Sequence, residues 1–174
     1  MPEGPDCILF IRHGEHHSQL GITEDGMPDD QSLNARGWQR AGALIARFAR
    51  PDDDQSPPDS IYASAITEDG QSRRPQQTVA PLLAYLRAQG HVTYCDAFAK
   101  NAVDELAEDL MTRKGVVLVA WEHSVIPKIA RRLGAEDAPA DWPTDRYDLI
   151  WRLDRSGSGW SFAEANQSLL AGDR

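Results

Sequence analysis

Short, uninterrupted apolar runs separated by helical patterns are the feature that most constrains the fold of this 174-residue chain. The runs at residues 7–11 and 116–121 have no alternating polar positions, which is typical of parallel strands covered on both faces. Shorter runs predict four further strands, at residues 60–63, 91–95, 147–153 and 160–165. Helices are predicted to begin at or near Asn34, Arg74, Asn101 and Val125. This order predicts one three-layer α/β/α domain over residues 1–174, with a mostly parallel central sheet.

Two asparagines are suited to cap predicted helices, because an Asn side chain accepts a hydrogen bond from a free backbone N–H of the first turn. The helix after the first asparagine, Asn34, has an apolar stripe formed by Trp38, Ala41, Ile45 and Phe48. The helix after the second, Asn101, has a predicted inward face formed by Val103, Leu106, Leu110 and Met111.

The charge balance excludes some classes of partner. Eighteen Lys and Arg residues against 27 Asp and Glu residues give a net charge of −9 and a pI near 4.9. Such a chain repels phosphate backbones and acidic membrane surfaces, so we expect neither nucleic acid nor a membrane as partner. The two cysteines, Cys7 and Cys95, lie in apolar runs and are predicted to be buried, reduced thiols, which favours a cytoplasmic location. The sequence does not indicate an oligomeric state.

Ionisable residues follow the two best predicted strands at the point where each ends. Arg12, His13 and Glu15 come after the first run, and Glu122 and His123 come after residues 116–121. The carboxyl ends of parallel strands meet at one edge of the sheet, where ligands bind in α/β proteins. A single histidine there is more often structural than catalytic, but this concentration of charged groups indicates a functional site.

Histidine spacing offers a metal site as an alternative. His13, His16 and His17 have the i, i+3, i+4 spacing that brings imidazoles together on a helix. The neighbouring Arg12 disfavours a divalent cation, and no H-E-x-x-H motif is present, so we expect neither metal nor cofactor. A fourth histidine, His91, begins a predicted strand at the opposite edge and is predicted to lie on the surface.

Four motifs in order carry a family resemblance. Arg12-His13-Gly14-Glu15 resembles the R-H-G-E signature of the histidine phosphatase superfamily, the phosphoglycerate mutase-like proteins. Residues 33–41 resemble the family's L-T-x-x-G-x-x-Q-A helix start, and residues 62–64 with 74–78 resemble its S-x-x-x-R-x-x-Q-T element. Residues 116–123 resemble its strand ending in a second histidine. The resemblance spans roughly residues 7–133.

The resemblance implies a metal-independent phosphatase acting on a small phosphorylated substrate or a phosphoprotein. His13 would be the nucleophile that forms a phosphohistidine, while Arg12, Arg74 and His123 would bind the phosphoryl oxygens. A phosphohistidine protein phosphatase is an alternative, because a phosphoramidate leaves without much protonation. A mutase is less consistent with so short a chain, and a non-catalytic module that binds a phosphorylated ligand is the alternative from another class.

The chain departs from the family pattern in two ways. Residues 64–72 are inserted before the arginine, so Arg73 remains an alternative to Arg74. The family's two usual positions for a general acid are occupied here by Lys100 and Ser124. Glu122 is therefore the first candidate donor because it follows the same strand as His123. A second carboxylate, Glu15, is a further candidate, although we expect it to pair with neighbouring cations.

Overall fold

The computed structural model describes residues 4–17, 19–50, 56–90 and 92–174. Within these ranges the strands are β1 (Cys7–Arg12), β2 (Ser60–Ala63), β3 (Thr93–Cys95), β4 (Val116–Trp121), β5 (Leu149–Ser156) and β6 (Gly159–Asn166). The helices are α1 (Ala35–Phe48), α2 (Arg74–Gln89), α3 (Val103–Leu110) and α4 (Ile126–Arg132). The strands form one sheet of order β3-β2-β4-β1-β5-β6. Strands β1 to β4 pair in parallel, whereas β5 is antiparallel to β1 and to β6, so the mostly parallel α/β fold is confirmed.

Strand β1 has apolar residues at every position from Cys7 to Ile11, because helices cover both of its faces. Ile8 and Phe10 belong to one core cluster, which also contains apolar residues of α3 and α4. Leu9 and Ile11 point to the other face and join a second cluster with residues of α1 and α2. The sheet is therefore the middle layer of three, with two helices packed on each side.

Helix α1 begins as predicted, and its buried face includes Ala41 and Phe48 of the predicted stripe but is rotated away from the other two residues. Asn34 caps it, and its side chain accepts a hydrogen bond from the backbone N–H of Gly37 at 2.9 Å. Trp38 and Ile45 of the predicted stripe are only half-buried. The buried residues of this helix are Gly37, Arg40, Ala41, Leu44 and Phe48. An arginine occupies this face because it forms ion pairs there, which an apolarity pattern does not register.

Other boundaries differ from the predictions. Helix α3 follows Ala102, whose side chain makes no capping hydrogen bond, so Asn101 is not the N-cap. Cys7 is buried as expected, but Cys95 is only half-buried because β3 is an edge strand. The predicted surface position of His91 lies outside the described residues. In the described part of the chain, every helix is too short or too polar to cross a membrane.

A buried ion cluster around Arg40 ties distant segments together. The Arg40 side chain is 2% exposed, and its Nη2 donates to Glu15 Oε1 at 2.7 Å and to Asp173 Oδ1 at 2.8 Å. Its Nη1 donates to Gln167 Oε1 at 2.9 Å. Burial acts to raise the pKa of Asp173, but the hydrogen bonds from Arg40 and from backbone N–H groups hold it well below its usual value. The cluster thus joins α1, the segment after β1 and the last residues of the chain.

Two glycines allow α1 to touch the backbone that follows β1. A Cβ atom on Gly37 would lie 2.5 Å from the carbonyl oxygen and 2.9 Å from the nitrogen of Glu15. A Cβ on Gly14 would lie 3.0 Å from the carbonyl oxygen of Gly37. Real Cβ atoms essentially never lie within 3.0 Å of a backbone atom, so the helix fits against this segment because Gly37 lacks a side chain, and a side chain on Gly14 would require a small shift.

We predict that Gly37→Ala lowers the free energy of unfolding by about 1–3 kcal/mol, since the added methyl group must displace backbone atoms. Gly42→Ala is the matched control on the same helix, because a Cβ there meets no atom within 4 Å. It should raise the free energy of unfolding by up to about 1 kcal/mol. Urea denaturation measures both, and equal stability of the two variants would contradict the close packing of α1.

Candidate active site

A cleft of about 710 Å³ opens at the carboxyl ends of the parallel strands, where the sequence predicted a site. The register of β1 and β4 pairs Arg12 with Trp121, and the backbone N–H of His13 donates to the Trp121 carbonyl at 3.1 Å. The residues that follow each strand therefore emerge side by side. Of the predicted site residues, the cleft is lined by Arg12, His13, Arg74, Glu122 and His123.

His13 is buried and held in one tautomer. Its side chain is 4% exposed, and Nδ1 lies 2.9 Å from the carbonyl oxygen of Gly14. A carbonyl only accepts hydrogen bonds, so Nδ1 carries the proton and Nε2 keeps a lone pair. Burial, and to a lesser extent the charge of Arg12, holds the pKa of His13 well below its usual value despite the Gly14 hydrogen bond. The ring is therefore a neutral imidazole with one nitrogen available as a nucleophile.

Arg12 is only 1% exposed and is fixed on several sides. Its Nη1 donates to the Thr144 carbonyl at 2.6 Å and its Nη2 to Tyr147 Oη at 3.1 Å. The guanidinium carbon also lies 3.8 Å from the centre of the Tyr147 ring. The third nitrogen, Nε, is buried and has no hydrogen-bond partner among the described residues. Arg12 thus presents a rigid positive charge whose Nε–H is unused.

Arg74, and not Arg73, lines the cleft. Its Nε donates to the Ser32 carbonyl at 3.3 Å and its Nη2 to the Asp30 carbonyl, which holds the guanidinium at the cleft wall. Arg73 is exposed and lies in a separate surface groove that also contains Tyr94. Arg73 is the N-cap of α2 and Arg74 is its first residue, so the two side chains leave the backbone in different directions.

Thr78 connects α2 to the segment that carries His13. Its Oγ1 accepts a hydrogen bond from the backbone N–H of Gly14 at 2.8 Å and donates to the Arg74 carbonyl at 2.7 Å. One fully buried hydroxyl therefore sets the spacing between the nucleophile candidate and the second arginine.

Glu122 lies beside His123 but is held as a carboxylate. Its Oε1 is 2.9 Å from His123 Nδ1, in a close contact without hydrogen-bond geometry. Burial acts to raise the pKa of Glu122, but hydrogen bonds from the Ser124 hydroxyl at 2.5 Å and backbone N–H at 3.1 Å hold it below its usual value. A general acid must carry a proton. This environment therefore argues against Glu122 as the donor.

Glu15 is not brought to the cleft. Its carboxylate accepts from Arg40 Nη2 at 2.7 Å and lies 3.3 Å from Arg36 Nε, on the α1 side of the backbone. It is therefore not a candidate acid, and it pairs with two arginines of α1 rather than with Arg12 or His13.

Sequence reasoning missed the contribution of Tyr147 and considered His16 only as a possible metal ligand. Tyr147 Oη accepts from Arg12 and lies 3.2 Å from His16 Nδ1, to which it can donate its proton. Burial and nearby cations lower the pKa of His16 to about 4, so this ring is neutral as well. No local pattern could reveal this link, because Arg12 and Tyr147 are 135 residues apart in the chain.

The inserted segment also lines the cleft, through Glu68 and Asp69 among others. Two further lining residues, Lys100 and His17, come from other segments. In the described ranges, no three His, Cys, Asp or Glu residues are placed so that they could hold a metal ion. The i, i+3, i+4 spacing of the three histidines does not form such a site because the segment after β1 is not helical.

Solved structures of phosphatases share this fold. An alpha-ribazole phosphatase from Shigella flexneri is 16% identical over 92% of this chain and 96% of its own, with a TM-score of 0.53. A SixA protein from Agrobacterium tumefaciens, assigned as a phosphohistidine phosphatase, is 21% identical over 91% and 97%, with a TM-score of 0.53. A histidine-to-alanine mutant of phosphoserine phosphatase from Entamoeba histolytica, in complex with phosphoserine, is 12% identical over 94% and 97%, with a TM-score of 0.51. No family model matches the chain, and no curated protein matches it significantly.

These likenesses extend over nearly the whole of each protein and confirm the phosphoglycerate mutase-like fold that the motifs indicated. At identities of 12–21% they establish the fold alone. The chemistry of the cleft must therefore be argued from its own residues.

We predict that Arg74→Ala weakens the binding of phosphate or tungstate about 10- to 150-fold, because a hydrogen bond to a charged group contributes about 1.5–3 kcal/mol. Arg73→Ala is the matched control, one residue away and outside the cleft, and should change the affinity less than about twofold. Isothermal titration calorimetry measures both. A loss in Arg73→Ala as large as that in Arg74→Ala would contradict the assignment.

Proposed function

We propose that this protein is a metal-independent phosphatase that hydrolyses a phosphomonoester through a phosphohistidine on His13. The observation that carries the proposal is a buried, neutral imidazole with Nε2 unprotonated, in a cleft that also presents Arg12 and Arg74. A nucleophile and fixed positive charge around it are the two requirements of phosphoryl transfer. The shared fold with proteins named as phosphatases is consistent with this function.

The reaction proceeds in two displacements at phosphorus. His13 Nε2 donates its lone pair to form a P–N bond while the P–O bond to the leaving group breaks, and the leaving oxygen takes a proton from solvent water. Water then attacks the phosphohistidine, the P–N bond breaks, and inorganic phosphate is released with His13 restored. Arg12 and Arg74 stabilise the charge on the equatorial oxygens in both steps, and His123 contacts the same oxygens.

The tautomer of His13 suits both steps. As the P–N bond forms at Nε2, the ring becomes a cation with a proton on Nδ1, and the Gly14 carbonyl at 2.9 Å already accepts that proton in a hydrogen bond. The phosphorylated ring is thereby stabilised without moving any atom of the site. The second displacement returns the ring to the neutral form that burial favours.

The state of Glu122 favours a second candidate, a phosphohistidine protein phosphatase. Hydrogen bonds from Ser124 keep Glu122 ionised, so it does not supply a proton to an alkoxide leaving group. A phosphoramidate such as phosphohistidine needs less help, because its nitrogen leaves readily. One of the proteins with this fold, the SixA protein, carries that assignment. The substrate is then either a small phosphorylated molecule or a phosphoprotein.

The free thiols Cys7 and Cys95 are consistent with a cytoplasmic location.

We predict that His13→Ala abolishes turnover of p-nitrophenyl phosphate and of phosphohistidine while leaving the urea midpoint close to that of wild type. Rapid quenching of the wild type with labelled substrate should trap an acid-labile, base-stable phosphoprotein, with the label on His13. Label on another residue, or near-normal turnover by His13→Ala, would contradict the proposed mechanism. Saturable binding of phosphate without any turnover of either substrate by the wild type would instead indicate a module that only binds phosphorylated ligands.

We predict that Glu122→Gln slows p-nitrophenyl phosphate and an alkyl phosphate by the same factor. The substitution removes a charge beside His123 but no acidic proton, since Glu122 is held ionised. A true general acid would show a much larger loss on the alkyl ester, because proton donation contributes about 10²–10⁴-fold and more for basic leaving groups. Measuring kcat/KM for both esters decides between the two, and a selective loss on the alkyl ester would restore Glu122 as the acid.

A further inference from the structure

Two carboxylates stand at the cleft on the segment inserted before Arg74. Thr67 and Gly70 pair through two backbone hydrogen bonds of 3.0 and 3.2 Å and close a tight turn with Glu68 and Asp69 at its tip. We call residues 67–70 the acidic turn. Its two acidic side chains are exposed, and both line the same cleft as His13.

Two other charged side chains of the cleft, those of Glu122 and Arg74, already have partners. Glu122 is bound by Ser124 and lies within the electrostatic influence of Lys100, while Arg74 is held by the carbonyls of residues 30 and 32. Glu68 and Asp69 differ, since neither has a hydrogen bond or ion pair to any side chain in the described part of the chain. The cleft therefore has a cationic floor, while its exposed rim carries the carboxylates of Glu68 and Asp69 and its wall carries a further cation, Lys100.

The buried base of the cleft, formed by Arg12 and His13, is the floor, and it indicates where an anion binds. The buried side chain of Arg12 leaves Nε without a partner among the described residues, although an unsatisfied buried donor is costly. A phosphoryl oxygen at the floor would satisfy it. A substrate bound in this way extends into the remainder of the cleft, part of which the acidic turn lines.

We propose, on the basis of the phosphatase function above, that the acidic turn selects phosphorylated substrates that carry a positive charge beyond the phosphoryl group, such as phosphorylated amines. Exposed carboxylates are negatively charged near neutral pH, so the turn attracts an ammonium or guanidinium group and repels a carboxylate at the same place. A substrate with both charges matches the floor and the rim at once.

The test compares three small ligands that differ in the charge of the group beyond the phosphate: 2-aminoethyl phosphate (cationic), propyl phosphate (neutral) and 2-phosphoglycolate (anionic). Two exposed ion pairs correspond to about a 2- to 30-fold effect on affinity. We expect kcat/KM for 2-aminoethyl phosphate relative to propyl phosphate to fall by about that factor in the double variant Glu68→Gln with Asp69→Asn. The relative kcat/KM for 2-phosphoglycolate should rise.

The matched control is the double variant Glu136→Gln with Asp137→Asn. It removes the same two charges from an exposed Glu-Asp pair that does not line the cleft. Comparing ratios within each protein cancels the different chemical reactivity of the three esters. Raising the salt concentration should weaken the preference of the wild type, because exposed charges are screened.

A binding measurement keeps this inference separate from the proposed function. Dissociation constants of the three ligands for His13→Ala, with and without the acidic-turn substitutions, report selectivity even if the wild type turns over none of the ligands. Absence of turnover of both p-nitrophenyl phosphate and phosphohistidine would refute the phosphatase, whereas the order of dissociation constants tests the turn alone. Three results would overturn the inference: equal affinity for the cationic and neutral ligands, the same change of ratio in the control variant, or a preference that disappears on chelation with EDTA.

Discussion

The parallel pairing of β1 with β4 is the interaction on which the rest of the site depends. Its register places Arg12 opposite Trp121, so the segments that carry His13 and His123 leave the sheet at the same edge. Apolar residues on both faces of β1 maintain this register, because a slip of one residue would exchange the side chains facing the two core clusters. Burial of two ordinary hydrophobic strands thus sets the distance between two histidines more than a hundred residues apart.

The segment after β1 is held from three directions, and this explains how a buried imidazole can keep one orientation. Gly37 of α1 touches the backbone of Glu15, and Thr78 of α2 binds the N–H of Gly14. The Arg40 cluster adds a third constraint through the Glu15 carboxylate and joins it to the last residues of the chain. Groups fixed before a ligand arrives need no reorganisation during reaction, which is how polar sites stabilise developing charge.

Burial changes the protonation of histidine and arginine side chains in the cleft to different extents. His13 and His16 have pKa values well below the usual value, mainly because burial disfavours their charged forms, so they remain neutral. The pKa of Arg12 is also lowered by burial, but a guanidinium keeps its charge because its ordinary pKa is so high. The same environment therefore yields two neutral imidazoles, one of them the nucleophile candidate His13, beside a permanent cation. The acidic turn, being exposed, adds negative charge only at the rim.

Local patterns were sufficient to predict the α/β fold, the Asn34 cap and the placement of Arg12, His13 and His123 at one edge. Each of these follows from a residue's neighbours in the chain, either through apolar periodicity or through its position directly after a strand. Local patterns could not show that Glu15 turns toward Arg40, that Tyr147 holds Arg12, or that Glu68 and Asp69 reach the cleft. Those outcomes depend on contacts between segments far apart in sequence, such as the 25 residues between Glu15 and Arg40 and the 135 between Arg12 and Tyr147. Only the packing of helices and loops around the sheet decides them, because that packing determines which polar group lies within hydrogen-bond distance of another.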